Sequence, residues 1–481
     1  MILFLIGLAI LIAGYFTYGR LVEKIVAPDD REVPAVTMND GVDYVVMPKW
    51  KNMLIQLLNI AGIGPVIGVI LGIKFGVIAF LIIPIGNIIG GAVHDFVSGM
   101  MSIRHNGANL PELIRLYLGR KFYFVFSIFM SLVLMLVVAV FINVPAKLIT
   151  GMANNDGIFL WVVAAIFVYY IAATLFPVDK IIGRFYPIFG GLLLVGTLAI
   201  FGKLMFEAID DPSILSESTL FAAAKFSAAG NMPLLPMLFV TIACGILSGF
   251  HATQSPIIAR TMKSEREAKA TFYGMMVLEG IIAMVWAAAA LAMYNSNILL
   301  MKENPNTVLA KITAHFLGSG VGTITVLSVI ILAITSGDTA MRSLRLSLAE
   351  IFKVPQTKSL SRILLCLPLI AIITGLLVWS NKDAKSFGTL WNYFAWGNQV
   401  LGASTLTAAT VYLAREGKCF LITLIPGMFI TFVVTTYILW ISPAHGGPVG
   451  CGLDLQVSYI IALVVSSAVS GYAIWKVKAE E

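Results

Sequence analysis

The sequence predicts an all-α, polytopic membrane protein, and three observations lead to that prediction. Of its 481 residues, 59% are hydrophobic and only 12% are charged, whereas a soluble domain carries about 25% charged residues. Nearly every stretch between charged residues is apolar for about 20 residues, which is the length of a helix that crosses the bilayer core. The lysine and arginine residues, finally, are divided unequally between alternate connections. A soluble globular protein is therefore excluded.

Thirteen segments are apolar and long enough to be predicted as membrane-spanning helices. The first has no basic residue before Arg20, which is the reverse of a secretory signal, so we expect it to remain as a membrane helix. In chain order the approximate bounds of the spans are 1 to 18, 52 to 73, 75 to 102, 122 to 150, 157 to 176, 185 to 207, 234 to 259, 271 to 294, 319 to 338, 361 to 380, 387 to 413, 418 to 441 and 455 to 475.

The connections between the spans predict the orientation of the chain. With the N-terminus outside and the C-terminus in the cytoplasm, 24 of the 32 Lys and Arg residues lie on the cytoplasmic side, as expected in a cell (cytoplasmic) membrane. These residues sit singly in short connections, so we expect a small solute and membrane lipid as partners and no nucleic acid. The four cysteines show no pairing pattern, and we predict no zinc site and no cofactor. The oligomeric state stays open.

Two predicted spans contain helix-breaking sequence at mid-membrane depth, namely residues 62–68 (GIGPVIG) and 249–256 (GFHATQSP). An interrupted helix is tolerated in a bilayer only where protein or a water-filled cavity satisfies the freed backbone groups, so both interruptions indicate a binding cavity. Pro65 and Pro256 fit the first position of a half-helix, with Ser255 as an N-cap. The N-termini of half-helices suit a carboxylate. Alternatively, the glycines of residues 62–68 only allow close helix packing.

The spacing of the two interruptions predicts an internal repeat. They lie five spans apart, and because five is odd, the second set of helices must cross the membrane in the opposite sense to the first. We therefore expect a core of two five-helix inverted repeats. The predicted organisation is a first helix with a cytoplasmic loop (1–51), a first repeat (52–207), an external loop (208–233), a second repeat (234–413) and two accessory helices (414–481).

Polar residues within the predicted spans are candidates for solute and ion sites, because a charge at the bilayer centre is costly. The proposed solute-binding residues lie at the interruptions and in the eleventh span: Gly62, Gly64, Pro65, His251, Thr253, Gln254, Ser255, Asn398 and Gln399. The proposed ion-coupling residues are His94, Asp95, Thr335, Ser336, Asp338 and Thr339, with a sodium ion expected near Thr335 and Ser336 if the coupling ion is not a proton. Asp338 also has the spacing of an ordinary helix ion pair with Arg342.

Four stretches of the sequence resemble the carbon starvation protein A (CstA) family: residues 59–65, 90–96, 248–256 and 391–399. The resemblance implies a secondary transporter with a LeuT-type core, a cavity between spans two and seven and an ion site between spans two and nine. It also implies transport of peptides or pyruvate during nutrient limitation, in some members coupled to protons. This chain is shorter than the long enterobacterial members, and it differs from them at residues 253–256, so the identity of the solute stays open.

The sequence therefore predicts a proton- or sodium-coupled symporter that imports a small carboxylate-bearing solute, and two other classes remain as alternatives. An integral-membrane enzyme that acts on a lipid-linked substrate would use paired acidic residues, but Asp29–Asp30 and Asp210–Asp211 lie on opposite predicted faces. A proton-translocating subunit of a membrane complex would need several buried lysines or glutamates, whereas Glu279 is the main buried-looking acid. We expect a transporter and no enzymatic activity.

Overall fold

The computed structural model describes residues 1–41, 43–175, 178–215, 232–356 and 359–478, and in these residues every regular element is helical. Most of the predicted external loop 208–233 lies outside the described residues. The α-helices are α1 (Ile2–Phe16), α2 (Tyr18–Val26), α3 (Pro34–Thr37), α4 (Lys49–Ile60), α5 (Val69–Gly72), α6 (Ala79–Gly86), α7 (Ala92–Arg104), α8 (Leu110–Leu118), α9 (Arg120–Ala153), α10 (Phe159–Leu175), α11 (Val178–Asp210), α12 (Leu234–Thr241), α13 (Ala243–Ile246), α14 (Gly249–Ala259), α15 (Gly274–Ser296), α16 (Pro305–Ile351), α17 (Ser359–Ser380), α18 (Ala384–Arg415), α19 (Leu421–Trp440) and α20 (Leu455–Lys478).

Short segments of tighter or wider helix connect several of these elements. The π-helical segments are Gly64–Gly68, Asn87–Gly91 and Lys269–Tyr273. The 3-10 segments are Ile73–Phe75, Asp156–Ile158, Pro212–Leu215, Glu265–Glu267, Ile298–Lys302 and Pro443–His445.

The number of membrane spans is ten or eleven in the described part of the chain, by length and composition. Ten helical segments are long and apolar enough to cross a membrane, and the bent pair Lys49–Ile60 and Gly64–Phe75 makes an eleventh if it is one span. The predicted spans 234 to 259 and 387 to 413 coincide with the short helices α12 to α14 and with α18, which are not among the ten. The multi-pass architecture is therefore confirmed, and the count of thirteen stays a prediction.

The first predicted interruption is present where the glycines of the second span occur. Helix α4 ends at Ile60, the π-helical segment begins at Gly64 with Pro65 in its first turn, and the two parts are bent by 53°. Gly62 allows a close approach at this break, because a Cβ there would lie 2.8 Å from Cζ of Phe141. The interruption therefore brings the backbone of this span against α9.

The second interruption is displaced from its predicted position. The backbone is extended at Leu247 and Ser248, and α14 begins directly afterwards at Gly249. The prediction that Ser255 caps a half-helix is wrong, because both Ser255 and Pro256 lie inside α14. The physical reason is the crossing with α18: a Cβ at Gly249 would overlap the backbone nitrogen of Gly402, so the glycine marks a close approach and the helix starts there.

The two interruptions lie against each other in the centre of the bundle. A Cβ at Gly64 would overlap Cβ of Cys244, which precedes the second interruption, and a Cβ at Gly68 would lie 3.0 Å from the carbonyl oxygen of Thr241. The glycines of the second span therefore allow close packing as well as a break in the helix, and the alternative that they only allow packing is wrong. Neighbouring residues on both spans are fully buried.

Candidate functional site

Three helices around the second interruption each contribute a titratable residue to one buried cluster. Helix α14 packs against α7, and α15 also packs against α7. Asp95 and the neighbouring His94 come from α7, His251 from the first turn of α14, and Glu279 from α15. All four residues are fully buried. We call this set the Asp95 cluster.

Asp95 lies between the two imidazoles. Its Oδ1 is 2.8 Å from Nδ1 of His94, and its Oδ2 is 3.0 Å from Nδ1 of His251. The other ring nitrogen of His251, Nε2, is 3.8 Å from Oε2 of Glu279, which is an ion-pair distance and too long for a hydrogen bond. The four groups therefore lie in a row from α7 through α14 to α15, with hydrogen-bond distances on both sides of Asp95 and a longer gap before Glu279.

The chemistry of this row of groups suits a mobile proton. When Asp95 is ionised it can only accept hydrogen bonds, so each histidine donates from Nδ1 and leaves Nε2 to accept. Nε2 of both histidines and both carboxylate oxygens of Glu279 are buried without a hydrogen-bond partner in the described part of the chain. Buried polar groups of this kind usually have a partner, and those that lack one require an explanation, such as a proton or a ligand that comes and goes.

A hydroxyl pair gives α7 and α14 a second connection. Ser255 Oγ lies 3.4 Å from Oγ of Ser98 and donates to the carbonyl oxygen of His251 at 3.2 Å. The residue that the sequence assigned to a helix cap therefore supports the helix turn that carries His251. Its position beside the cluster is consistent with a role in the site and not with the role of an N-cap.

The amide of Gln254 connects α14 to α16. Its Nε2 donates to Oγ1 of Thr253 at 2.9 Å and to Oγ of Ser343 at 3.3 Å, and Ser343 donates in turn to the carbonyl oxygen of Thr253 at 3.0 Å. Oε1 of Gln254 is buried and accepts no hydrogen bond from a described residue. This oxygen is available to a donor on a bound solute.

Among the hydroxyl residues of α16, Ser336 contacts the first interruption and not the Asp95 cluster. Ser336 donates to the carbonyl oxygen of Leu58 at 2.8 Å, at the end of α4. Thr335 and Thr339 donate within their own helix, to Leu332 at 2.9 Å and to Ser336 at 2.9 Å. The structure therefore separates the predicted ion-coupling residues into two groups, with His94 and Asp95 in one and the α16 hydroxyls in the other.

Asp338 is fully buried on the same helix, and its predicted partner Arg342 makes other contacts. Arg342 donates to the carbonyl oxygen of Ala173 at 2.8 Å and lies 3.9 Å from Oδ1 of Asp43. These contacts tie α16 to α10 and to the connection between α3 and α4.

The eleventh predicted span contributes one amide that joins helices and one that does not. Gln399 donates to the carbonyl oxygen of Phe239 at 2.8 Å and so connects α18 to α12. Asn398 is fully buried, and neither polar atom of its side chain has a hydrogen-bond partner in the described residues. Asn398 therefore fits a ligand-binding residue better than Gln399 does.

Sequence reasoning missed three buried residues of this region as site candidates. Glu279 is the one charged residue between Gly274 and Ser296, and that isolation is the signal that could have found it. Gln56 and Asn59 of α4 precede the first interruption and are fully buried, with all their side-chain polar atoms unpartnered among the described residues. Their i, i+3 spacing next to a glycine-rich break was visible in the sequence.

Within the described ranges, no three His, Cys, Asp or Glu residues are arranged to hold a metal ion.

The fold resembles solved membrane transporters. A manganese transporter from Eremococcus coleocola superposes with a TM-score of 0.55 at 14% sequence identity, over 92% of this chain and 98% of that one. Two sequence relatives carry the name peptide transporter CstA. The one from Bacillus subtilis is 27% identical over 355 residues (62% of this chain, 59% of the relative), and the one from Helicobacter pylori strain J99 is 24% identical over 342 residues (56% and 48%). These two named relatives are transporters, and this multi-pass membrane chain has the fold of a solved transporter.

The family follows from two further matches. The family model described as carbon starvation protein CstA matches residues 1–177, 159–321 and 311–437. A membrane protein of Haemophilus influenzae, itself uncharacterised, is 41% identical over 360 residues, which cover 65% of this chain and 95% of that relative. The chain belongs to the carbon starvation protein CstA family. It spans 48% to 59% of the length of the two peptide transporters named above.

Proposed function

We propose that the protein is a proton-coupled symporter that imports a small carboxylate-bearing solute, a short peptide or pyruvate. The observation that carries this proposal is the Asp95 cluster, in which a fully buried carboxylate lies between two histidines at the second interruption. Ionisable residues inside a membrane are costly and typically belong to proton relays or ion pathways. The names of the curated relatives favour peptides as the solute.

The cluster gives a physical route from proton binding to helix movement. Ionised Asp95 accepts hydrogen bonds from both histidines and so holds α14 against α7. A proton on Asp95 turns one carboxylate oxygen into a donor and removes an acceptor, which weakens the contact with His251. His251 then has Glu279 as its remaining acidic neighbour, 3.8 Å away. Protonation therefore favours a different position of α14, and a solute that binds that position is coupled to the proton.

The solute would bind between the two interruptions. Helix α14 begins directly after the extended backbone at Leu247 and Ser248, and the positive end of its helix dipole suits a carboxylate. Among the described residues, the unpartnered Oε1 of Gln254 supplies an acceptor, and the unpartnered amide of Asn398 supplies both an acceptor and a donor for the polar groups of a peptide. Gly62, Gly64 and Pro65 form the opposite wall, where they contribute close packing and backbone and no charge.

A sodium ion is the second candidate for the coupling ion, and one contact favours it. Ser336 joins α16 to the carbonyl oxygen of Leu58, so hydroxyl and carbonyl oxygens meet at the first interruption. Such hard oxygen ligands suit an alkali cation. In that case Thr335, Asp338 and Thr339 of the same helix would belong to the ion site, and the Asp95 cluster would have a structural role.

The proposed transporter also has a defined helix architecture and a defined orientation in the membrane. The adjacent interruptions support a core of two five-helix inverted repeats of the LeuT type, with accessory helices before and after it. The positive-inside pattern supports a cytoplasmic membrane with the N-terminus outside. Use during nutrient starvation follows from the family name alone.

Uptake into proteoliposomes tests the proposal. Labelled alanyl-alanine and labelled pyruvate are supplied under an imposed proton gradient and, separately, under a sodium gradient. We expect accumulation with the proton gradient that a protonophore abolishes and that Asp95→Asn lacks. Asp156→Asn, an exposed acid outside the cluster, is the matched control and should accumulate solute like the wild type. Accumulation with sodium alone would refute proton coupling, and accumulation of neither solute would refute the proposed solutes.

A further inference from the structure

Two adjoining cavities lie at the end of the bundle away from the Asp95 cluster. They have volumes of about 380 and 350 Å³, within the usual range for small-molecule pockets of about 300–1,000 Å³, and they share Lys147, Asn306 and Thr307 in their walls. Helices α7 and α9 fix their location: α9 begins at Arg120, shortly after α7 ends at Arg104, and Lys147 lies near the opposite end of α9. We call the smaller of the two the Lys147 cavity.

The Lys147 cavity has a largely polar wall. Eight of the nine residues that line it are polar, and Phe387 is the exception. The two charged residues have opposite signs, Lys147 on α9 and Asp383 directly before α18. Four asparagines complete most of the wall, and Asn143 donates to Oγ of Ser380 at 3.0 Å, which joins α9 to α17. Residues of four helices, α9, α16, α17 and α18, thus surround one polar space.

Single polar atoms in this wall indicate which groups a ligand would present. The ammonium of Lys147 lies 5.1 Å from the centroid of the Phe159 ring, which positions this charge at the cavity. Oδ1 of Asn306 is a buried acceptor without a hydrogen-bond partner in the described residues, and Asn306 is in the first turn of α16. A cation and an unfilled acceptor beside a carboxylate suit a ligand that carries both charges.

A chain of aromatic rings separates this cavity from the interruptions. Phe387 in the cavity wall is 6.4 Å from Trp391, which is 5.4 Å from Phe394. Phe394 is 6.0 Å from Phe141, and Phe141 is 5.7 Å from Phe250, beside His251. The last four rings are buried. The Lys147 cavity is therefore a separate place from the site between the interruptions, and a line of contacting rings runs from one to the other.

We propose that the Lys147 cavity is an entry site that binds zwitterionic short peptides before they reach the interruptions. The peptide carboxylate pairs with the ammonium of Lys147, and the peptide ammonium pairs with Asp383 and Oδ1 of Asn306. Pyruvate has a carboxylate and no ammonium, so this site selects peptides over pyruvate. This inference rests on the proposed function and refines its substrate class.

The first test is equilibrium binding of labelled alanyl-alanine to the purified full-length protein in nanodiscs. We expect Lys147→Gln and Asp383→Asn each to weaken the binding of alanyl-alanine at the Lys147 cavity about tenfold. This is the loss expected for one charged hydrogen bond. Asparagine at position 383 can still cap α18 as Asp383 does through the backbone N–H of Ser386, so the fold is preserved. The matched control is Lys382→Gln, an exposed neighbour that is not in the cavity wall.

The ligands provide the second test. N-acetyl-alanyl-alanine lacks the ammonium, so its affinity should respond to Lys147→Gln and not to Asp383→Asn, whereas alanyl-alanine should respond to both. Binding by the two variants that equals that of Lys382→Gln, or no binding of alanyl-alanine by the wild type, would overturn the entry site. Binding requires no ion gradient, so a wild type that binds the dipeptide at this site but does not accumulate it would refute the proposed symport and leave the entry site intact.

Discussion

The two interrupted spans lie against each other, yet they differ in what surrounds the break. The first, between α4 and the segment that begins at Gly64, is surrounded by glycine contacts, aromatic rings and the hydroxyl of Ser336. The second, at Leu247 and Ser248, is followed by the first turn of α14, which carries His251 of the Asp95 cluster. A chain with two related interruptions can therefore place its titratable groups at one of them. The first then provides shape and backbone oxygens, and the second provides the charge that changes.

This difference can be tested most severely at His251. We expect His251→Asn to abolish proton-driven accumulation, because the amide keeps a donor near Asp95 but cannot take up a proton. Exchange of labelled for unlabelled solute without a gradient should continue, because the wall at the first interruption is unchanged. The measurement is uptake and exchange in proteoliposomes, with His315→Asn as the control on an exposed histidine. Normal accumulation by His251→Asn would remove the second interruption from the coupling mechanism.

Among the substitutions considered, one at Glu265, in the segment after α14, is expected to cause the largest loss of stability. Glu265 is fully buried, accepts from Arg104 at 3.1 and 3.0 Å and accepts from the backbone N–H of Asp29 at 3.2 Å. Glu265→Gln leaves the Arg104 charge without its carboxylate, and removal of one partner of a buried pair costs about 3–5 kcal/mol. We expect a corresponding fall in the thermal midpoint in detergent.

A neighbouring exposed pair is the control for that experiment. Asp30 pairs with Arg266 at 2.7 Å, and this ion pair holds the pKa of the Asp30 carboxyl below its usual range. Both side chains are exposed, so Asp30→Asn should leave the thermal midpoint nearly unchanged. Equal midpoints for the Glu265 and Asp30 variants would show that the buried pair does not stabilise the protein.

Disruption of the contact between the two interruptions should cause a smaller loss of stability. Gly64→Ala places a Cβ on Cβ of Cys244, and overpacking of a buried contact costs about 1–3 kcal/mol. The change Cys244→Gly removes the opposing Cβ, so the double variant should recover most of the thermal stability. Gly151→Ala is the control, since a Cβ there meets no atom within 4 Å. Absence of recovery in the double variant would mean that the two spans do not touch at these residues.

Removal of the Ser336 hydroxyl at the first interruption should have the smallest effect on transport. Ser336→Ala removes one hydrogen bond to Leu58, worth about 1 kcal/mol, which corresponds to roughly a fivefold change in an equilibrium constant. If the ion is a proton, we expect a modest rise in the KM for the solute and an unchanged response to sodium. A loss of sodium-driven uptake in this variant would transfer the coupling site to the first interruption.

The sequence was sufficient to predict the membrane class and the presence of both interruptions, because long apolar stretches and glycine–proline clusters have direct physical meanings in a bilayer. It misplaced the second interruption, since Pro256 resembles a helix start, whereas the decisive contact is between Gly249 and Gly402, which are 153 positions apart. Contacts between distant segments are not encoded in a local pattern.

The candidate site shows the same division between local and distant information. Asp95 and His251 were both identified as candidates, one for the ion and one for the solute, because each is a polar residue inside an apolar span. Their hydrogen bond, which joins α7 to α14, depends on how the helices pack and could not be derived from either segment. Glu279 was noted as a buried acid, but its place beside His251 also requires the third dimension.

Proton entry that accompanies solute entry is the most direct test of the Asp95 cluster. A pH-sensitive dye inside proteoliposomes reports protons while alanyl-alanine is added outside without an imposed pH gradient. We predict that the wild type acidifies the interior when the dipeptide enters, and that Asp95→Asn carries the dipeptide in exchange without acidification. Dipeptide entry into wild-type liposomes with no proton movement, or acidification by Asp95→Asn equal to that of the wild type, would contradict proton coupling at this cluster.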